Sequence, residues 1–316
     1  MVVRFVVRRL LALIPIVLVV ATFVFVLTRV IPGNPAALML GDQASSAQVA
    51  ALTKQLGLDA PIGVQYGHWI GQVFLHADLG QSLYFQMPVT TVIGQRIEPT
   101  ALLALGGLLV AIVLGVPFGV IAAARHDRLL DRLLMGVALL GLSIPGFWLG
   151  LNLILIFALV LHVLPSGGFQ PFSTAGVAGL KYLILPCCTI GFASSALVAR
   201  MARASVLDVM TLAYVRTARA KGLAERVVLY RHVLKNAMIP TMTLIGLIVA
   251  DLFSGAIVTE TVFTIAGAGR LMIDSVQRRD YPVIEGAVMA VAAFYVVINF
   301  LVDLTYATID PRVRYA

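Results

Sequence analysis

Six long apolar stretches are the strongest constraint on the fold of this 316-residue chain. The chain is 60% hydrophobic and 12% charged, whereas a soluble domain typically carries about 25% charged residues. Because about 20 apolar residues suffice to cross a hydrocarbon core of about 30 Å, we predict an all-α, polytopic membrane protein with six transmembrane helices. The predicted spans are residues 10–31, 101–124, 133–163, 183–201, 239–258 and 283–306.

The first and third predicted spans have unusual features. Residues 1–9 carry three arginines before the first apolar stretch, as a signal peptide would. The stretch that follows is too long for a signal core of about 7–15 residues, so we predict an uncleaved first span. The third span is long for one crossing, and we expect that Pro145 and Gly146 kink it or that it tilts.

The basic residues predict the orientation of the spans. If residues 1–9 are cytoplasmic, 16 of the 23 Lys and Arg residues fall on the cytoplasmic side. This asymmetry favours a cytoplasmic N-terminus and a cytoplasmic C-terminus at residues 307–316. Among the seven basic residues that this topology places outside, the adjacent pair Arg278 and Arg279 fits it least well. The net charge of +8 lies beside spans rather than on a soluble face, which argues against a nucleic-acid-binding protein.

A basic segment within the predicted cytoplasmic region 202–238 has an unusual pattern. Residues 200–235 carry eight of the basic side chains, yet apolar residues recur among them at helical spacing. Gly222 lies between the two apolar runs, where a helix would end in a left-handed residue. The pattern predicts two short amphipathic helices whose apolar faces need a partner. The apolar residues are Leu212, Val215 and Ala218, then Val227, Tyr230 and Leu234.

The first outer segment, residues 32–100, is too long for a simple connection. It contains Tyr66 and Trp69 among several aromatic residues, so we expect it to be folded. Two interpretations remain open. The segment is either a docking surface or lid for an extracytoplasmic partner, or a packed cap that shields the ends of the helices.

Enzyme chemistry is poorly supported. None of the four lysines follows a glycine, so the P-loop that binds ATP phosphates is missing. There is no His-Glu-x-x-His sequence for a metalloprotease, and no serine pairs with a histidine at span depth. The adjacent Cys187 and Cys188 have no metal-site spacing and are interpreted as apolar thiols. We therefore expect no catalytic residues, no metal and no cofactor in this chain.

Polar residues within spans default to a functional hypothesis because burying them is costly. Four are candidates for lining a translocation path: Asp251, Glu260, Asn299 and Asp303. A structural hydrogen bond is an equally good interpretation of Asp251. Glu260 could instead cap an outer loop, and Asp303 could reach the cytosolic surface.

Ten short segments occur together in an order and spacing that resemble a known family. Tyr-Val-Arg-Thr-Ala-Arg-Ala-Lys-Gly at 214–222 is the most specific of them. The others lie at 77–82, 88–89, 143–150, 164–167, 232–240, 260–263, 267–269, 279–282 and 310–312. The chain resembles the membrane permease subunits of ATP-binding-cassette importers for dipeptides, oligopeptides and nickel.

The resemblance implies roles for several residues. Residues 214–222 resemble a coupling helix that inserts into a groove on an ATPase subunit, with the apolar face in the groove and the basic face at its rim. The implied coupling residues are Leu212, Tyr214, Val215, Arg216, Ala218, Arg219, Lys221, Gly222, Glu225 and Arg226. Docking of a binding protein is expected at Tyr66, Trp69, Asp78 and Ser82. The chain departs from the family pattern at Ala77, Ala213, Asp251 and Ala266.

The resemblance also implies partners and a cargo. A second, homologous permease would complete the path, two ATPase subunits would bind ATP and Mg²⁺, and a substrate-binding protein would deliver cargo at a prokaryotic inner membrane. Peptides are the expected cargo, with nickel complexes, glutathione or another small solute as alternatives. From a different class, an ion-coupled secondary transporter is the alternative, although one acid deep in a span supports it weakly.

Overall fold

The computed structural model of the chain describes residues 2–30, 36–37, 44–55 and 57–309. For residues 2–13, 55, 250, 298–299 and 301–309 it describes the backbone alone. The described residues are helical apart from their connections and one isolated bridge between Gln81 and Pro88. The predicted all-α class is therefore confirmed.

The helices are named in chain order, first those before residue 161 and then those after it. The first group comprises α1 (Val2–Val30), α2 (Ser46–Gln55), α3 (Ile62–His76), α4 (Val89–Ala124), α5 (Leu129–Ser143) and α6 (Gly146–Leu153), which a π-helix continues (Ile154–Val160). The second group comprises α7 (Phe172–Ala175), a 3₁₀ turn (Gly176–Leu180), α8 (Lys181–Met210), α9 (Ala213–Ala220), α10 (Glu225–Val227), a π-helix (Val228–Val233), α11 (Leu234–Val262), α12 (Ala268–Gln277) and α13 (Tyr281–Ile309).

The first of two compact units comprises Met1–Glu98 and Arg270–Phe300. In one apolar cluster Ala21 and Val24 of α1 meet Trp69 of α3 and Met289 of α13. A second cluster joins the start of α4 to α12 and α13 through Val89, Val92, Ile93, Leu271 and Val283. These contacts hold the outer segment against the first and last helices.

The second unit comprises Pro99–Gly269 and Leu301–Ala316. Helix α8 is its central element, since half of its residues are buried and α4, α5, α6 and α11 pack around it. Gly115 allows α4 to approach α8 closely, because a Cβ there would lie 2.6 Å from the Cβ of Val198. The apolar cluster between α4, α8 and α11 contains Leu103, Leu183, Cys187, Ile190, Val198, Ile245, Ile248, Leu252 and Ala256.

Three helical stretches of the described residues are long and apolar enough to cross a membrane: Val89–Ala124, Phe172–Met210 and Glu225–Val249. A fourth is possible if Leu129–Ser143 and Gly146–Val160 form one broken span, since they bend by 104°. Shorter apolar helical segments lie at Ile14–Val30 and Tyr281–Val297. The chain is thus a multi-pass membrane protein, and the count of six spans stays a prediction.

The third predicted span is broken more sharply than a kink. Ile144 has an extended backbone (φ −81°, ψ 123°) and Pro145 precedes the first residue of α6. A residue before proline is pushed out of the helical region by the proline ring, so the break falls where the sequence predicts it. Helix α4 also begins at Val89, well before the predicted span at residue 101, so the end of the predicted outer segment is helical.

Candidate functional site

The basic segment folds as two short helices around a left-handed turn. Leu212 is extended and precedes α9, and Gly222 follows it with φ +77°. No atom lies within 4 Å of the position that a Cβ on Gly222 would take. The turn therefore requires glycine for its backbone conformation and not for lack of space. The left-handed residue that the sequence predicts is confirmed at this position.

The apolar face of α9 packs inside the chain. Val215 and Ala218 are buried in a cluster with Val228 and Val233 of the return segment and with residues of α4, α8 and α11. This differs from the expectation that both residues enter a groove on a partner. The reason is that the return segment supplies an apolar face of its own, which covers that of α9. Leu212, the third residue of that face, is exposed.

Polar contacts also close the segment on itself. The Tyr214 hydroxyl donates to the backbone carbonyl of His232 at 3.1 Å and accepts from the Asn236 side chain at 2.8 Å. The Arg219 guanidinium donates to both oxygens of Glu225 across the turn, at 2.7 and 3.3 Å. Tyr214, Arg219 and Glu225 thus have internal partners in addition to any partner they meet outside the chain.

The exposed side chains of α9 and of the return segment that follows Gly222 form a surface that we name the Gly222 surface. It combines cations with exposed apolar groups, and the side chain of Tyr230 is 67% exposed. Its cations form no hydrogen bond or ion pair with the described residues. Such a surface suits a partner that offers an apolar depression with an acidic rim. Its members are Leu212, Arg216, Lys221, Leu223, Arg226, Val227 and Tyr230.

Helix α11 exposes one narrow stripe that is partly polar. Its members recur every three or four residues and so share one face. They are Pro240, Thr243, Leu247, Asp251, Ser254, Val258 and Thr261. Between residues 105 and 121 the exposed positions of α4 are, in contrast, all apolar: Leu105, Leu109, Val113, Pro117 and Ile121. We name the first set the α11 stripe.

Asp251 lies near the middle of the α11 stripe, and its side chain is exposed. It forms no hydrogen bond or ion pair with any residue that the structure describes. An aspartate at the centre of a lipid-facing helix costs about 2.5–3.5 kcal/mol on insertion scales. The α11 stripe is therefore better suited to a protein interface or a water-filled path than to lipid.

Glu260 is placed differently from Asp251. Its side chain is fully buried and accepts a hydrogen bond from Thr100 Oγ1 at 2.5 Å. The same hydroxyl oxygen accepts from the backbone N–H of Ala268 at 2.8 Å. Gly267 lies so close that a Cβ there would overlap the Glu260 carboxylate. Glu260 therefore fastens the connection after α11, which agrees with the alternative that it caps an outer loop rather than with a place on the path. The side chains of the other two candidates, Asn299 and Asp303, lie outside the described residues.

Tyr66 and Trp69 pack on the first helix. Their rings lie 5.2 and 5.4 Å from the ring of Phe25, and the Tyr66 hydroxyl lies 2.7 Å from Thr22 Oγ1. Both residues are half-buried. These contacts correspond to the packed cap, the second of the two interpretations of the outer segment.

Ser82 is buried and donates to Asp280 at 2.5 Å, while the backbone N–H groups of Leu83 and Tyr84 donate to the same carboxylate at 3.1 Å. Ser82 is therefore not available for docking, which differs from the expectation. Asp78 is exposed and accepts from the N–H of Gly80 at 2.8 Å. Residues 77–82 and 279–282, two of the ten segments, are joined in this way.

Sequence reasoning missed several paired acids. Glu285 is buried and accepts from Thr28 and from Arg29, each at 2.6 Å. Asp131 accepts two hydrogen bonds of 2.7 Å from Arg203. No local motif signals these pairs, because the partners lie 257, 256 and 72 residues apart in sequence.

His126, Asp127 and Asp131 offer ligand atoms within 4.8 Å of one another. Such a cluster could in principle hold a cation. The Arg203 guanidinium, however, already engages both Asp131 oxygens and lies 3.2 Å from His126 Nδ1. A second positive charge would be repelled there, so the cluster is better described as part of an ion-pair network.

Comparisons with known proteins agree along the whole chain. Residues 115–315 match the family described as the inner membrane component of binding-protein-dependent transport systems, and residues 2–102 match its N-terminal membrane component. A probable peptide ABC transporter permease of Sinorhizobium fredii is 39% identical over 98% of this chain and 99% of its own. A glutathione transport system permease of Salmonella typhimurium is 42% identical over 99% of both chains.

A solved structure shares the fold. The MetNI methionine ABC transporter, in inward-facing conformations, superposes with a TM-score of 0.58 at 16% identity. The match covers 70% of this chain and 97% of that chain.

Proposed function

The chain belongs to the family of inner membrane components of binding-protein-dependent transport systems, and on that basis we propose that it forms half of the path through which an ATP-driven importer takes up peptides. It is a membrane subunit rather than a catalytic one. ATP and Mg²⁺ would bind to separate ATPase subunits. Six spans with both termini in the cytoplasm remain part of this proposal.

The Gly222 surface is the observation that carries the coupling role. It offers exposed cations beside exposed apolar side chains in a chain that has no phosphate-binding loop. We propose that this surface contacts an ATPase subunit. Val215 and Ala218 anchor α9 to the permease itself, so that motion of the ATPase is passed through their buried cluster to α4, α8 and α11.

The path would form between this chain and a second, related permease. ATP binding would close the two ATPase subunits and switch the path from inward-open to outward-open. A binding protein that delivers cargo would favour the same state. By linkage, any preference of the loaded binding protein for the outward state must equally favour ATPase closure.

Purification of the chain from its native membrane tests the proposal. We expect a second permease and ATPase subunits to co-purify. After reconstitution in vesicles, uptake of peptide should require both ATP and the binding protein. Uphill uptake by this chain alone, without nucleotide, would refute the proposal and favour an ion-coupled transporter.

The cargo is proposed to be a peptide because relatives of nearly full length are named peptide permeases. Glutathione is a close alternative, since a relative of similar identity is named a glutathione permease, and nickel complexes are a further one. Mass spectrometry of the ligand that the purified binding protein carries would decide between these classes.

A further inference from the structure

The α11 stripe spans most of the thickness of a membrane. From Thr243 to Thr261 it extends about 27 Å at 1.5 Å per residue, compared with a hydrocarbon core of about 30 Å. Asp251 lies close to the middle of this length, and Ser254 lies one turn further on the same face. A carboxylate and a hydroxyl are thus presented together near the middle of the stripe.

Asp251 differs from the buried acids of the chain. Glu260, Glu285, Asp280 and Asp131 accept hydrogen bonds from side chains within their own units. The carboxylate of Asp251 and the hydroxyl of Ser254 form no hydrogen bond or ion pair with any described residue. Their partner must therefore come from outside this part of the chain or be water.

We propose that Asp251, together with Ser254, forms a recognition site within the path for a positively charged group of the cargo. The inference rests on the proposed function, because the α11 stripe becomes a path only in an assembled importer. A carboxylate in a site of low dielectric attracts an ammonium or guanidinium group far more strongly than it would in water. The substrate class is therefore a peptide that carries a cationic side chain.

The distribution of polar groups favours moving cargo over a fixed ion pair with the second permease. A fixed pair would need one polar position in an otherwise apolar face. The α11 stripe instead carries hydroxyls toward both ends, at Thr243 and Thr261, as well as Ser254 beside Asp251. The hydroxyls of Thr243 and Thr261 donate to carbonyls of their own helix, so their oxygens remain as acceptors. Such a series offers successive acceptors to a cationic ligand that moves along the helix.

A comparison of the uptake of two cargoes tests the site. The complete importer is reconstituted in vesicles. The binding protein is loaded separately with each of two tripeptides, one with a central lysine and one with a central norleucine. Because each tripeptide is loaded beforehand, the binding protein's own preference between them does not affect the result. We expect the wild type to favour the lysine peptide and Asp251→Asn to lose about tenfold of that preference, the scale of a hydrogen bond to a charged group. Asp251→Glu should retain it.

Each outcome is decisive. An unchanged preference in Asp251→Asn, with uptake intact, overturns the recognition site and leaves the proposed function standing. Loss of the second permease on purification of Asp251→Asn also overturns it, because Asp251 would then be a fixed interface pair. Absence of any ATP-dependent uptake by the wild type would instead be a failure of the proposed function.

Chemical labelling gives a second, independent measurement. We expect Ser254→Cys in the complete importer to react with a membrane-impermeant thiol reagent and to be protected by the lysine tripeptide. Leu105→Cys, on the apolar stripe of α4, is the matched control and should react only with a lipid-soluble reagent. Labelling of Ser254→Cys by the lipid-soluble reagent alone would overturn the proposal.

Discussion

Single residues carry much of the internal order of this chain through paired charges. The side chain of Asp131 is 4% exposed, and the Arg203 guanidinium donates to each of its oxygens. Because a buried carboxylate that loses its partner keeps its desolvation cost, the pair matters most when one member is removed. Arg203 therefore positions α8 against the start of α5 rather than serving as a general positive charge.

Replacement of that arginine should be costly. We expect Arg203→Gln to lower the free energy of unfolding by about 1.5–3 kcal/mol, the usual worth of hydrogen bonds to a charged group. Asp131 stays buried in this variant and keeps only the backbone N–H of Asp127 and the nearby His126 as partners. The matched control is Arg200→Gln, at an exposed position of the same helix, which should change stability by no more than about 0.5 kcal/mol. Thermal unfolding of the purified protein in detergent measures both, and equal shifts would contradict the assignment.

The Tyr214 hydroxyl ties α9 to the return segment at His232 and to the start of α11 at Asn236. We expect Tyr214→Phe to keep the ATPase subunits bound but to lower the cargo transported per ATP by about fivefold or more, since it removes two hydrogen bonds that are each worth about 1 kcal/mol. The assay is simultaneous uptake and ATP hydrolysis in vesicles.

Two further variants sharpen this test. The double variant Tyr214→Phe with Asn236→Ala should be no worse than the more severe single variant, because both remove the same contact. Tyr182→Phe is the control. The Tyr182 hydroxyl accepts a hydrogen bond from the Gln170 side chain and has no role in the Gly222 turn. Loss of the ATPase subunits from Tyr214→Phe would mean that Tyr214 contacts the partner directly.

At the scale of elements, the connections depend on two glycines for different reasons. Gly222 has open space around it but a left-handed backbone. Gly267 lies against the carboxylate of Glu260, where any side chain would collide. The first glycine sets the direction in which α9 meets its return segment, and the second allows the connection after α11 to close on a buried acid.

The Gly222 turn can be tested by conformation alone. A β-branched residue resists the left-handed region, whereas asparagine tolerates it. We expect Gly222→Val to leave membrane insertion intact and to uncouple ATP hydrolysis from uptake, and Gly222→Asn to retain most of the coupling. Coupling like that of the wild type in Gly222→Val would contradict the role of the turn.

The Gly267 position can be tested by volume alone. We expect Gly267→Ala to destabilise the protein by about 1–3 kcal/mol, the usual cost of overpacking. Gly136→Ala is the matched control, because Gly136 lies in α5 with no atom near its missing Cβ. Alanine there should stabilise the helix slightly. Thermal unfolding compares the two, and a neutral Gly267→Ala would argue against the packing around Glu260.

At the scale of the whole molecule, the basic residues predict which ends face the cytosol. The adjacent pair Arg278 and Arg279 fits this prediction least well, and for Arg278 the structure shows a local reason. Its guanidinium lies 3.6 Å from the centre of the Tyr84 ring, a cation–π contact that holds the charge against the protein. A position of Arg278 on the extracytoplasmic side is therefore compatible with the predicted orientation.

Labelling of single cysteines measures that orientation directly. We expect Arg216→Cys, on the Gly222 surface, to react with an impermeant reagent only from the cytosolic side. His68→Cys, at an exposed position of α3, should react only from the outside. The unsubstituted protein, with Cys187 and Cys188 inside α8, gives the background. Reaction of Arg216→Cys from outside would invert the topology and separate the Gly222 surface from any cytosolic ATPase.

Much of the candidate site could be predicted from local sequence. The break before Pro145 and the left-handed turn at Gly222 follow from the backbone preferences of proline and glycine. The amphipathic pattern of residues 212–234 also predicts the short helices correctly. These features depend on residues near one another in the chain, so the sequence is sufficient to find them.

The sequence by itself determined that this chain is helical, that it belongs in a membrane and where its connections turn, because hydropathy and backbone preference act locally. The tertiary structure alone decided that Val215, Ala218, Ser82 and Glu260 face inward while Asp251 faces outward. Burial depends on which distant segment covers a face: Asp280 is 198 residues from Ser82, and Thr100 is 160 residues from Glu260. No local pattern encodes a contact across such a separation.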